Sequence, residues 1–147
     1  MTQPFEFRLE KLLGVRRLKE EVAQRELAAA HAAVEERNRI ILELMSQEDA
    51  AKNELRWLQQ TAIDVQRLRL TAGFLVSLER LLQREYEALQ NLVKIEMEKR
   101  NDLIEARKGV RVLELAREKK LQLHRRDLDH QERKFLDEVG QNLAKGA

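Results

Sequence analysis

Stepping from Leu27 by alternate threes and fours lands on Leu27, Ala30, Val34, Arg37, Ile41, Leu44, Glu48, Ala51, Leu55, Leu58, Ala62 and Val65, and ten of these twelve positions are apolar. An apolar stripe that returns every 3.5 residues on average is narrower than the buried face of a globular helix; it is the seam of a left-handed coiled coil. A chain with such a stripe needs a second helix to cover it. The two polar members, Arg37 and Glu48, stand where a two-helix core wants hydrocarbon. Their long side chains either snorkel to water or fix the register locally.

The second half supplies that cover. Leu75, Leu78, Leu82, Glu85, Leu89 and Leu92 keep the spacing, Glu96 and Lys99 interrupt it, and Leu103, Ala106, Val110 and Leu113 restore it. Past Leu113 the register skips before Leu121, His124, Leu128, Gln131 and Phe135, the signature of a stutter, so the last third is expected to pack more loosely. Breakers are scarce, with five Gly and one Pro in 147 residues, while strong helix formers abound.

Between the halves the apolar spacing falters through Arg67-Leu68-Arg69-Leu70, and Thr71-Ala72-Gly73 offers a turn with an N-cap. The reversal is expected within Ile63 to Gly73. The resulting fold class is all-α, a long antiparallel two-helix coiled coil forming a single domain over 1–147. Helix 1 covers about 5–65, the turn about 66–72, helix 2 about 73–139, and 140–147 is a frayed tail. Pro4 suits the first turn of helix 1, and helices of about 60 residues make a rod of about 90 Å. A single long helix pairing with a second copy would use the same seam; the Thr-Ala-Gly break favours the hairpin.

With 37% charged and 4% aromatic residues there is little material for a thick core, and a two-helix rod has no interior in which to build an active site. No cysteine is present, so disulfides, thiolate metal sites and thiol nucleophiles are excluded, and a reducing cytoplasm fits. Ser46 and Ser77 lack glycine-flanked turns, and the glycines at 14, 73, 109, 140 and 146 are too scattered for a phosphate loop. His124 and His130, six residues apart, fall on different helical faces, and His31 is distant in sequence. Carboxylate pairs such as Glu20-Glu21 and Glu35-Glu36 have basic neighbours within a turn or two, which reads as surface ion pairing. No enzyme, cofactor or metal is expected. No signal peptide and no membrane span is expected either.

Charge nominates no bulk partner: 28 basic and 26 acidic side chains are interspersed. Lys99 to Lys134 carries twelve Lys or Arg against seven Asp or Glu, and its residues Arg125, Arg126, Arg133 and Lys134 form a candidate basic docking face for an acidic protein. With Phe135 the nearby aromatic, a nucleic-acid partner is not expected. Phe74, Leu75, Leu78, Leu81 and Leu82 make a stripe wider than one seam can bury, and Phe74, Leu78 and Leu81 follow helix-in-groove spacing. These residues either close the hairpin against Trp57, Leu58 and Leu68 or present themselves to a partner. Phe5, Phe7, Leu9, Leu12 and Leu13 likewise either pack on Phe135, Leu136 and Val139 or enter a partner.

Two segments carry a family resemblance. Phe5-Glu6-Phe7-Arg8-Leu9-Glu10-Lys11-Leu12-Leu13 with Val15-Arg16-Arg17-Leu18, and Val112-Leu113-Glu114 through Glu118-Lys119-Lys120 to Gln131-Glu132-Arg133-Lys134-Phe135-Leu136-Asp137-Glu138, together resemble the FliJ family of flagellar type III export components. The resemblance implies a coiled coil similar to the stalk of the rotary ATP synthase, inserted in the hexameric export ATPase ring, promoting its assembly and activity. It implies links to the membrane export gate protein and escort of export chaperones, with peripheral membrane association through partners only, at the cytoplasmic face of the inner membrane. The ring-facing residues would be Phe5, Phe7, Leu9, Leu12, Phe135 and Leu136, and the gate-binding face Phe74, Leu78 and Leu81, stopping before Glu85. Gly14 departs from what a rigid inserted helix prefers and suggests a flexible arm. The competing reading is a structural or homodimeric coiled-coil spacer unrelated to secretion.

Overall fold

The computed structural model describes residues 3–61 and 64–146. Two helices, α1 (Glu10–Thr61) and α2 (Val65–Lys145), pack against each other as a helical hairpin, and the described residues contain no strand. The chain divides into two compact units, Met1–Val22 with Ile104–Ala147, and Ala23–Leu103.

In the Ala23–Leu103 unit every seam position predicted on α1 from Leu27 to Leu58 is buried or half-buried. Val34, Ile41, Ala51 and Leu58 of α1 and Leu78, Leu82 and Leu103 of α2 are the buried seam residues of this unit, and burying a leucine contributes roughly 1.5–3 kcal/mol. Polar residues in and beside the seam are paired across the hairpin, except Glu48, which accepts from Lys52 one turn on within α1 at 3.0 Å. Arg37 donates to Glu85, Lys99 Nζ lies 3.2 Å from Glu26, and His31 Nδ1 lies 3.0 Å from Glu96. The interruption at Glu96 and Lys99 is therefore a bonded polar layer.

In the terminal unit the seam continues through Leu13, Arg16 and Glu20, a stretch that sequence spacing passes over because two of its members are polar. Leu13, with no exposed surface, Val110 and Leu113 form its core. Arg16 reaches across the seam, and its Nη1 donates to the Gly109 carbonyl at 3.0 Å. On α2 half-buried Arg117 fills the gap between Leu113 and Leu121, giving two successive steps of four, the expected stutter. Half-buried positions continue to Leu128 and then stop, leaving Gln131 and Phe135 exposed.

Three boundaries differ from expectation. Residues 66–72, expected as the turn, are helical, since α2 begins at Val65. Asp64 is the reason: its carboxylate accepts the Arg67 backbone N–H at 3.1 Å, an N-cap that starts α2 before Thr71 and Gly73 can interrupt it. Thr71 is then buried in the seam, and Gly73 is absorbed as an ordinary helical residue. Helix α1 begins at Glu10, with Pro4 lying ahead of it, because Phe5 is held against α2. Residues 140–145 are helical, a continuation of α2 where a frayed tail was expected. Ala62, Ile63 and Ala147, on which parts of the seam, reversal and tail expectations fall, lie outside the described residues.

Candidate functional site

The first candidate surface lies in the Ala23–Leu103 unit. Helical spacing puts Phe74, Leu78 and Leu81 on neighbouring rows, but the rows do not share an environment. Phe74 is 52% exposed and Leu81 40%, whereas Leu78 is 4% exposed and belongs to the seam with α1. The helix-in-groove triad therefore splits: two residues can meet a partner and the third holds them in place. At roughly 100° per residue, Leu70, itself exposed, lies on the Phe74 and Leu81 side of α2. Trp57 of α1 is also exposed. It follows Glu54 on the same flank, and Glu54 is tied to Arg67 at 2.9 Å on the flank of α2 that carries Phe74. Leu70 escapes sequence reasoning because it lies outside the Phe74 to Leu82 cluster, whereas Trp57, expected to close the hairpin, is exposed. Leu58, Leu78 and Leu82 are buried in the hairpin, while Trp57 and Phe74 are exposed.

The second lies in the terminal unit. Residues 3–7 form an irregular arm laid on α2, with the Phe5 ring 5.7 Å from His124 and the Arg117 guanidinium 5.5 Å over the same ring. Cation–π attraction and the Arg117–Glu10 ion pair at 3.0 Å anchor the arm and the start of α1 together. A shallow groove runs beside this crossing, lined by Pro4, Glu6, Lys120 and Asp127. The arm does not reach Phe135, Leu136 or Val139, so packing of the amino-terminal aromatics there is excluded for Phe5. Leu9 and Leu12 are partly open, and Phe135 and Leu136 are more exposed, at 63% and 58%.

Arg125, Arg126, Arg133 and Lys134 are all exposed, but they spread over about half the helix circumference. Arg126 and Arg133, seven apart, share a row; the other two flank it. The feature is a broad basic surface, not a single stripe.

One titratable cluster stands out. Both ring nitrogens of His31 face carboxylates, Nδ1 toward Glu96 and Nε2 toward Glu35 at 2.9 Å, and Glu96 also takes Arg100 at 3.3 Å. The hydrogen bond to Glu96 first, then the charges of Glu35 and Glu96, raise the His31 pKa above its ordinary value. Its carboxylates are consumed in helix pairing, and no nucleophile adjoins them. Among the described residues no group of acidic, histidine or cysteine side chains is arranged to hold a metal, and no helix is long and apolar enough to cross a membrane.

A family model described as flagellar FliJ protein matches residues 5–147, essentially the whole chain. No curated protein and no solved structure matches.

Proposed function

Because the chain belongs to the FliJ family, whose members are components of flagellar type III export, we propose that it acts as a stalk for the export ATPase ring and connects that ring to the membrane export gate. The unit holding both termini takes the ring, through Phe5, Phe7, Leu9, Leu12, Phe135 and Leu136. The other unit takes the gate, through Phe74 and Leu81 with Leu78 as their buried support. Arg125, Arg126, Arg133 and Lys134 offer an acidic export chaperone a docking surface. The protein works at the cytoplasmic face of the inner membrane, held there by its partners, and changes the turnover of another enzyme without chemistry of its own.

The observation that carries this reading is the family match across both units, each of which leaves apolar side chains uncovered. Exposed apolar groups grouped on one face mark docking sites, whereas scattered ones need no explanation. The test is to titrate the protein into the export ATPase and follow ring assembly and ATP turnover. Saturable stimulation supports the stalk; a helical protein that neither binds nor stimulates leaves the structural-spacer reading in its place.

A further inference from the structure

We propose that the overhang of α2, residues 128–143, pairs antiparallel with the same segment of a second copy, covering Phe135 and Leu136 when no other partner does. The register of the terminal unit sets up the overhang. Glu10 at the start of α1 meets Arg117, and the arm ahead of it brings Phe5 to His124, while the half-buried positions of α2 end at Leu128. Every residue from Asp129 to Gly146 is exposed.

The stripe does not give out with its cover. At roughly 100° per residue, Leu128, Phe135, Leu136, Val139 and Leu143 fall within an arc of about 100°, and the row continues the half-buried Leu121 and His124. Glu132 is the one charge inside that arc between 128 and 143. The outward side mixes signs, with Arg126, Arg133 and Lys134 beside Asp137 and Glu138, so it recommends neither an anionic lipid surface nor a nucleic acid.

The stripe is complementary to itself about a two-fold axis between positions 135 and 136. That axis sets Leu128 opposite Leu143, Glu132 opposite Val139, and brings the Phe135 and Leu136 side chains of the two copies together. A parallel in-register pair would place Glu132 against Glu132 inside the apolar seam. The antiparallel arrangement separates the two carboxylates by seven residues, about 10 Å. The four open side chains offer on the order of 400 Å² of apolar surface per copy, below the range of stable specific interfaces, so the pair is weak and reversible. Resting on the proposed ring assignment, pairing would also regulate it, because the residues it covers are those offered to the ATPase.

Sedimentation of the protein alone, from about 1 µM to about 200 µM, reads the pairing directly. The expected result is a shift from 17.3 kDa toward twice that mass, lost in Leu136→Asp and Val139→Asp with helicity by circular dichroism unchanged. The chain has no cysteine, so a single introduced thiol reports geometry. Oxidation should give a covalent dimer for Leu136→Cys, close to the axis, and not for Leu143→Cys, whose mate lies about 22 Å away. A monomer throughout the range, or crosslinking of Leu143→Cys as fast as Leu136→Cys, overturns the proposal. A pair that forms while Phe135→Asp leaves ATPase turnover unchanged supports the pairing and removes the ring assignment. A monomer whose stimulation depends on Phe135 does the reverse.

Discussion

Arg37 and Glu85, two charged residues at seam positions on opposite helices, donate and accept across the hairpin at 2.5 Å, with their side chains 33% and 15% exposed. Arg37 thus does not snorkel to open water; it spends its charge on the partner helix. A misregistered pairing by one heptad would leave both charges facing hydrocarbon, so the pair specifies alignment more than it adds stability. Replacing Arg37 alone by Leu strands the half-buried Glu85 carboxylate and should cost about 1–2 kcal/mol in urea unfolding. Replacing both by Leu should restore or exceed the original stability while loosening the register.

The terminal unit depends on one leucine. Leu13→Ala should cost about 2–4 kcal/mol, since it empties the contact with Val110 and Leu113, whereas Leu12→Ala next to it should stay within about 0.5 kcal/mol. Thermal unfolding of the two variants checks the contrast.

Gly14 and Gly73 lie within helices, and a Cβ added at either meets nothing within 4 Å. Alanine at each should therefore raise stability by about 0.5–1 kcal/mol. If Gly14 serves a flexible arm, Gly14→Ala should gain that stability and lose ATPase stimulation; unchanged stimulation would assign the glycine no such role.

His31 makes the hairpin sensitive to pH. Its folded pKa is raised by Glu96 and then Glu35, so its contribution is fully present below its unfolded value near 6.5. It is lost as pH rises through the higher folded value. The melting temperature should fall from pH 6 to pH 8 in the native protein by more than in His31→Gln, the difference shrinking in high salt because the cluster is exposed.

The seam was the most legible feature of the sequence. Its alternate three-and-four spacing is a direct consequence of helix geometry, and each position from Leu27 to Leu58 is covered as that spacing requires. Capping chemistry was harder to weigh. Thr71 and Gly73 look like a turn in isolation, yet an Asp64 cap and a seam running through Thr71 outweigh them. The split of Phe74, Leu78 and Leu81 shows a second limit. Residues spaced i, i+4, i+7 share a face broadly, but a two-helix seam cuts that face: Leu78 stands in the seam row with Leu75 and Leu82 and is buried, while Phe74 and Leu81 lie outside that row and are exposed, so the triad cannot act as one docking face. The start of α1 at Glu10, with Phe5 ahead of it against His124, is invisible to periodicity.

Separation of the two docking faces is the central claim, and paired binding measurements test it most directly. Phe74→Ala with Leu81→Ala should weaken binding to the export gate at least tenfold, leave ATPase stimulation intact and barely move the melting temperature, since both side chains are open. Phe135→Asp with Leu136→Asp should do the opposite, sparing the gate and abolishing stimulation. If either pair removes both activities in a fully helical protein, or neither removes its own, the assignment of one face to each partner is wrong.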